Sequence, residues 1–258
     1  MDDSGRAHVV LFGDSLTEKA QCSGWAAQLQ ACLSRRADIL NRGLSGYTSR
    51  WAVKTLPRIF PSRPQLSAPH LVTVCFGTND AVNANLPPPY DSVHVSLAEY
   101  ADNLRVIVKH IRSLKNLAGN APDIVLVAPP PVHDAGHLAA RKCISGEKGG
   151  FPLVYQESVA KYAHACAQVA IELKCPFVDT HKHFSSEPDL GKLFEDGVHF
   201  STEGHRVFYR ALADTLACQL PSFWKCMTDA NSPCDFPPVA VLYLGDDVDW
   251  QKPFSLSF

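Results

Sequence analysis

The sequence has almost no charge imbalance. Its 24 lysines and arginines are matched by 26 aspartates and glutamates, which gives a formal net charge of −2, and neither half of the chain is strongly charged. A protein that binds duplex nucleic acid needs a basic face to displace phosphate counterions. We therefore expect no nucleic-acid partner, and nothing in the charge suggests steering toward a strongly charged substrate.

Long apolar runs and a dense cysteine set are also missing. No window reaches the ~20 apolar residues that a membrane span needs. The first six residues lack the basic region of a signal peptide, and the apolar run at residues 9–12 is too short for its core. The nine cysteines are odd in number and scattered, without a Cys-x-x-Cys pair, unlike a disulfide framework. These absences predict a soluble, cytoplasmic protein without a stable membrane anchor.

The glycine-rich nucleotide-binding motifs Gly-x-x-x-x-Gly-Lys and Gly-x-Gly-x-x-Gly do not occur, which argues against a nucleotide-binding loop. Hydrophobic residues make up 46% of the chain and charged residues 19%, a composition that excludes a disordered protein. At roughly 100–200 residues per domain, 258 residues fit one large domain or two small ones. The sequence therefore predicts a globular protein with a full core.

Short β-prone apolar runs alternate along the chain with stretches of helical periodicity. The five predicted strands are residues 8–13, 38–41, 70–76, 123–128 and 176–179. The predicted helices are residues 24–36, 49–60 (helical up to the turn before Pro57), 97–117, 154–173 and 203–220. This alternation predicts a three-layer α/β/α sandwich around a mostly parallel five-stranded sheet.

Two long stretches interrupt the alternation, at residues 81–96 and 129–152, and both are predicted to be loops. Loops of this length are usually functional or mobile. After Pro221 the chain is rich in proline, aspartate and aromatic residues and shows no helical period. We predict a domain over residues 1–220 and a C-terminal extension, 221–258, that either packs on the domain or is partly disordered.

Polar residues and glycines follow the predicted strands at successive places. These sets are Gly13-Asp14-Ser15-Leu16, Asn41-Arg42-Gly43-Leu44-Ser45-Gly46, Gly77-Thr78-Asn79-Asp80 and, before the last helix, Asp196-Gly197-Val198-His199. Each set alone is typical of a turn or a helix cap. In an open parallel sheet, however, ligands bind at the carboxyl ends of the strands. Four such sets together predict a functional site at that edge.

The residue types in these sets suit ester hydrolysis. A neutral hydroxyl is a weak nucleophile and needs a neighbouring base, so Ser15 is the candidate nucleophile and His199 the candidate base. Asp196, three residues earlier, is placed to orient the imidazole. Candidate oxyanion donors are the backbone N–H groups of Ser15 and Gly46 and the side-chain amide of Asn79. Glycine at position 46 leaves no Cβ in the way of the oxyanion.

The same reasoning assigns the other groups around the nucleophile. Asp14 is interpreted as the cap of the helix that follows, not as a catalytic group. The proposed mechanism needs no cofactor and no metal, and its partner is a small-molecule ester. The sequence indicates no oligomeric state.

The combined pattern resembles that of the SGNH hydrolases, also called GDSL esterases and lipases, whose signature positions are matched by Ser15, Gly46, Asn79 and His199. Within that superfamily the chain is most similar to the isoamyl acetate-hydrolysing esterases, over about residues 8–220. The resemblance rests chiefly on residues 12–18, 42–47, 76–81, 99–104 and 196–204. It implies a flavodoxin-like fold, a role in lipid metabolism, and hydrolysis of small, uncharged esters with short acyl chains, such as isoamyl acetate.

Other activities remain compatible with some of these residues. An acyltransferase would use the same triad, and an inactive binding or scaffold protein could keep the same fold. A phosphatase with Asp14 as nucleophile would resemble the haloacid dehalogenase type, but Leu16 stands where its second aspartate belongs. A metal site built from Asp179, His181 and His183 lacks a further cluster with zinc-like ligand spacing.

Overall fold

The computed structural model describes residues 6–61, 68–115, 119–146 and 150–229, and the backbone of 233–234 and 254–255. Its central sheet has five strands in the order β2-β1-β3-β4-β5, and every pair is parallel. The strands are β1 Ala7–Gly13, β2 Ala37–Gly43, β3 Leu71–Cys75, β4 Asp123–Val127 and β5 Phe177–Val178. This order is the flavodoxin-like one. The predicted fold class is confirmed, with a sheet that is parallel throughout.

Helices cover both faces of the sheet. They are α1 Ser15–Glu18, α2 Trp25–Cys32, α3 Ser49–Ile59, α4 Leu97–Ser113, α5 Asp134–Ser145, α6 Gln156–Leu173, α7 Thr180–Ser185, α8 Thr202–Gln219 and α9 Pro221–Thr228. Helices α3, α4 and α6 pack on one face, whereas α2, α7, α8 and α9 pack on the other. The result is the predicted three-layer arrangement.

Strands β1, β3 and β4 are largely apolar because both of their faces are covered, whereas the edge strand β2 carries Asp38, Asn41 and Arg42. Successive strand residues point to opposite faces. In β1, Val10 and Phe12 join the core cluster under α3, α4 and α6, and Val9 and Leu11 join the cluster under α2 and α8. A sheet that is buried on both sides therefore needs continuous apolar strands, and this is the pattern that made them recognisable.

Helix α3 extends further than predicted. We expected it to end at the turn before Pro57, but it continues through Pro57 to Ile59. A proline inside a helix removes one backbone hydrogen bond. Here the flanking residues Leu56 and Phe60 are both buried in the core, so packing holds the last turn despite the proline.

The prediction that residues 129–152 form a loop is wrong for its central part, because Asp134–Ser145 form α5. The only buried residue of α5 is His137. The helix therefore has no apolar face of the kind that helical periodicity detects.

The start of the predicted C-terminal extension is also helical. Helix α9 follows α8 directly, and Pro221 occupies its first turn, where a proline is well tolerated. Met227 is buried, and Phe223 and Trp224 pack against the core cluster on the α8 face of the sheet. Beyond Asp229 only the antiparallel pairing of β6 Pro233–Cys234 with β7 Phe254–Ser255 is described, and the rest of the extension lies outside the described residues.

Candidate active site

Ser15 lies at the carboxyl end of β1, where it is the first residue of α1. Strand β1 has β2 on one side and β3 on the other, so strand order reverses beside it. Open α/β sheets bind ligands at this point. The predicted cap of α1 is present, because Asp14 Oδ1 accepts a hydrogen bond from the backbone N–H of Leu16 at 3.0 Å.

His199 reaches Ser15 from the far end of the chain. The Nε2 atom of His199 lies 3.0 Å from the Oγ of Ser15, although 184 positions separate the two residues. On the other side of the ring, Nδ1 lies 2.7 Å from Oδ2 of Asp196. The three side chains therefore form one continuous hydrogen-bonded row of hydroxyl, imidazole and carboxylate.

Asp196 is held by its own loop. Its Oδ1 accepts the backbone N–H of Val198 at 3.0 Å and that of His199 at 2.7 Å. Partial burial raises the pKa of Asp196, but the hydrogen bonds from the ring and backbone of His199 outweigh burial and hold it well below the usual range. The carboxylate is therefore ionised at neutral pH, and it favours the tautomer with a proton on Nδ1.

Helix α5 braces the loop that carries Asp196 and His199. The backbone N–H of His133 donates to the carbonyl of Gly197 at 2.8 Å. Gly197 has a φ of +82°, and a Cβ there would lie 2.2 Å from the backbone N of His137. Only glycine therefore permits both this backbone conformation and the close approach of α5.

The buried side chain of His137 adds a second brace. Its Nε2 accepts the backbone N–H of Leu153 at 3.2 Å. Burial lowers the pKa of His137, against the opposing hydrogen bond to the backbone of Asp196. A neutral imidazole therefore connects the loop that carries Asp196 with the segment around Leu153. No sequence pattern indicated His137, because its partners lie in remote segments.

Besides Ser15 after β1, the residues that carry candidate oxyanion donors are Gly46 and Asn79, on the loops after β2 and β3. The Nδ2 atom of Asn79 donates to the carbonyl of Tyr47 at 2.9 Å. A side-chain amide carries two N–H groups, so one remains for a ligand. Asn79 is thereby tied to the residue that follows Gly46.

The reason expected for glycine at position 46, room for the oxyanion, stays a prediction, and the backbone gives a second reason. A Cβ on Gly46 would meet no atom of the described chain within 4 Å. The φ of +77° is what favours glycine, because L side chains rarely adopt it.

Asp80, in the loop after β3, is hydrogen-bonded to the residue that follows the loop after β2. It is fully buried, and its two carboxylate oxygens accept the backbone N–H of Ser49, the first residue of α3, at 3.1 and 3.0 Å. The Ser49 hydroxyl donates to Asp80 as well and accepts from Asn103 Nδ2 at 2.9 Å. Burial raises the pKa of Asp80 to about 6. The sequence placed Asp80 in a motif but gave no indication of Ser49 as its partner.

Asp14 has a carboxylate oxygen without a partner. The residue is 1% exposed, and its Oδ2 has no hydrogen-bond partner within the described chain. Burial is the main cause that raises the pKa of Asp14 from 3.8 to about 7. Between these values the folded protein keeps a proton that the unfolded chain releases, so the free energy of unfolding falls as the pH rises from about 4 to about 7.

We therefore expect Asp14→Asn to stabilise the protein more at about pH 8 than at about pH 5, because it removes the cost of ionising a buried carboxyl. An asparagine can still accept the Leu16 N–H. Thermal unfolding of variant and parent at both pH values measures the effect. Asp214→Asn, which removes an exposed charge from α8, is the matched control. A stability difference that is equal at both pH values would contradict the assignment.

Of the residues of the metal hypothesis, Asp179 has another role. The carboxylate of Asp179 caps α7 by accepting the backbone N–H of Lys182 at 3.1 Å. Burial lowers the pKa of His181, so its ring is neutral at neutral pH. Across residues 6–61, 68–115, 119–146 and 150–229, no three His, Cys, Asp or Glu side chains are grouped so that they could hold a metal ion. None of the helices in these ranges is both long and apolar enough to span a bilayer.

Comparison with known proteins identifies a family and several relatives of similar sequence. The profile of the GDSL-like Lipase/Acylhydrolase family matches residues 11–207. A GDSL esterase/lipase of Arabidopsis thaliana is 34% identical over 235 residues, which are 90% of this chain and 92% of that protein. An isoamyl acetate-hydrolyzing esterase 1 homolog of Bos taurus is 33% identical over 247 residues, 92% of this chain and 93% of the relative. The resemblance predicted from the motifs is confirmed.

Solved structures show the same fold. Axe2, an acetylxylan esterase from Geobacillus stearothermophilus, superposes with a TM-score of 0.62 over 84% of this chain and 96% of its own. The two sequences are 23% identical, so the likeness concerns the fold alone.

Proposed function

Because the chain belongs to the GDSL-like lipase/acylhydrolase family and is a carboxylic ester hydrolase, we propose that it cleaves small, uncharged esters through an acyl-enzyme intermediate on Ser15. The observation that carries this proposal is the row of hydrogen bonds from Ser15 through His199 to Asp196. A base within hydrogen-bond reach of a hydroxyl, and itself oriented by a third group, is the arrangement that activates a serine.

The reaction proceeds in two halves. His199 Nε2 takes the proton of Ser15 as Oγ attacks the acyl carbon, and the imidazolium then gives that proton to the departing alcohol. Water next attacks the acyl-enzyme, with His199 again as base, and the acid and free Ser15 are released. Asp196 stays ionised throughout and stabilises the imidazolium.

The tetrahedral intermediates carry a negative oxygen that needs hydrogen-bond donors. We assign this role to the backbone N–H groups of Ser15 and Gly46 and to the free amide N–H of Asn79. Donors that are held in place before the reaction stabilise developing charge without reorganisation. The hydrogen bond that Asn79 donates to the Tyr47 carbonyl and those that the backbone N–H of Ser49 donates to Asp80 supply this rigidity.

Asn79→Ala is expected to lower kcat by about 10²–10³-fold with little change in KM, because the lost donor acts on the oxyanion and not on the ground-state ester. Steady-state kinetics with p-nitrophenyl acetate measure the effect. Asn83→Ala, in the loop just after the motif, is the control and should leave kcat within about twofold. A loss confined to KM would contradict the oxyanion role.

The two stretches that interrupt the alternation of strands and helices contact each other. The backbone N–H of Asn83 donates to the carbonyl of Leu153, just after the second stretch, at 2.9 Å, and Arg141 of α5 donates to the Tyr90 hydroxyl at 3.2 Å. Their half-buried apolar side chains pack on the core below the carboxyl edge of the sheet; these are Leu86, Val93 and Leu153. The short acyl group itself is proposed from the resemblance to relatives such as the isoamyl acetate-hydrolyzing esterase 1 homologs.

A series of p-nitrophenyl esters tests the proposed specificity. We expect kcat/KM to be highest for acetate to butyrate and to fall for octanoate and longer chains. A preference for long chains would contradict the short acyl site, and no hydrolysis of any ester would contradict the function itself. A cytoplasmic location, a role in lipid metabolism and isoamyl acetate as a substrate are proposed on the sequence and its relatives alone.

A further inference from the structure

An open cavity of about 150 Å³ adjoins the reacting atoms. Ser15 and His199 form part of its wall, which is completed by Leu16, Lys19, Ser23, Glu195, Phe200 and His205. Of the three residues that carry candidate oxyanion donors, Ser15 lines the cavity and Gly46 and Asn79 do not. The cavity also adjoins the imidazole that returns a proton to the leaving group.

The cavity wall is polar and carries both charges. Lys19 contributes an ammonium group, Glu195 a carboxylate and Ser23 a hydroxyl, and all three residues are exposed. Within the described part of the chain, neither Lys19 nor Glu195 forms an ion pair. The two charges cancel, so the cavity favours an uncharged ligand that both donates and accepts hydrogen bonds.

His205 adds a second imidazole that the mechanism does not use. Its ring packs edge-on against Phe200, with the ring centroids 5.4 Å apart. Its Nδ1 is buried and has no hydrogen-bond partner in the residues that the structure describes. Burial lowers the pKa of His205, against the opposing charge of Glu195, so the ring is neutral at neutral pH. Because Nδ1 is closed to solvent, His205 lines the cavity with its other atoms, and its neutral ring adds no charge there.

We propose that this cavity binds the alcohol moiety of the ester and that this alcohol carries further hydroxyl groups, as a polyol or a sugar does. The inference rests on the proposed function, because it takes His199 as the group that protonates the leaving alcohol. A further hydroxyl on the alcohol moiety can donate to Glu195 and accept from Lys19, whereas the isoamyl group of isoamyl acetate is a hydrocarbon that displaces water from these charges and replaces none of its hydrogen bonds. Polar groups that lose their partners on binding weaken that binding.

Four acetate esters with one common acyl group test the proposal. They are p-nitrophenyl acetate, isoamyl acetate, glycerol monoacetate and a monoacetylated methyl xyloside. We expect kcat/KM for at least one polyhydroxylated ester to exceed that for isoamyl acetate by about tenfold, the gain from one charge-assisted hydrogen bond. A preference for glycerol monoacetate identifies a polyol, and a preference for the xyloside identifies a sugar.

Variants connect the preference to the cavity. Lys19→Met and Glu195→Gln should each lower kcat/KM for the preferred polyhydroxylated ester about tenfold more than for p-nitrophenyl acetate. Lys192→Met is the control, because Lys192 is exposed and pairs with Asp189 outside the cavity; it should change neither rate.

The outcomes separate the two claims. The inference is overturned if the protein hydrolyses p-nitrophenyl acetate but acts on isoamyl acetate at least as fast as on either polyhydroxylated ester. The proposed esterase function would then still stand. Equal losses on all esters in the Lys19 and Glu195 variants overturn the inference as well. A protein that hydrolyses none of the four esters overturns the proposed function, and the inference with it.

Discussion

Ser15→Ala is expected to lower kcat for p-nitrophenyl acetate by at least about 10³-fold, because it removes the hydroxyl that lies within hydrogen-bond distance of His199. The variant keeps the backbone donor at position 15, Asn79 and Gly46, so the remaining rate measures what the oxyanion donors achieve without a nucleophile. Steady-state kinetics, with active-site titration of the parent enzyme, measure the loss.

The same substitution should leave the fold almost unchanged. The Asp14 side chain and not that of Ser15 caps α1, and alanine is well tolerated in a helix. We expect a shift in the unfolding temperature of no more than about 2–4 °C. Ser113→Ala, at the exposed end of α4, is the control for activity. Retention of a substantial rate by folded Ser15→Ala protein would remove Ser15 from the mechanism.

Asp196→Asn is expected to lower kcat by about 10⁴-fold, the loss seen when a triad aspartate is made neutral without a change of shape. Oδ1 of Asp196 accepts two backbone N–H groups, so the oxygen of an asparagine will occupy that place. Its NH₂ group then faces Nδ1 of His199 and donates to it. The ring proton is thereby moved to Nε2, which can no longer accept the proton of Ser15.

Kinetics at neutral pH, together with thermal unfolding, distinguish this effect from misfolding. A wrong tautomer lowers kcat at neutral pH while the unfolding temperature stays close to that of the parent. Asp189→Asn, which changes the capping carboxylate of the preceding turn, is the matched control and should retain most of the activity. An Asp196→Asn variant with more than about a tenth of the parent rate would contradict the role assigned to the carboxylate.

The predictable parts of this fold are those whose pattern is local. Strands β1, β3 and β4 are continuous apolar runs because the sheet is covered on both faces, and such runs are visible in the sequence. Helix α5 was missed for the converse reason, since its single buried residue, His137, leaves no apolar period. Helix α3 passes Pro57 because tertiary packing of Leu56 and Phe60 overrides the local preference.

The candidate site likewise has residues that the sequence predicts and contacts that it does not. Ser15, Asn79, Asp196 and His199 belong to short motifs, so their types and spacing could be read directly. The contacts that hold them could not, because they join remote segments: Asp80 to Ser49 across 31 positions, and His137 to Leu153 across 16. Such partners depend on the three-dimensional path of the whole chain, which no local periodicity indicates.

Covalent labelling is the most direct test of Ser15 as the activated nucleophile. A fluorophosphonate reacts with a serine whose hydroxyl is activated by a neighbouring base, and peptide mapping by mass spectrometry then locates the adduct. We expect one phosphonyl group per chain, on Ser15, and none on the folded Ser15→Ala and His199→Ala variants. An adduct on another residue, or undiminished labelling of the Ser15→Ala protein, would contradict this role of Ser15.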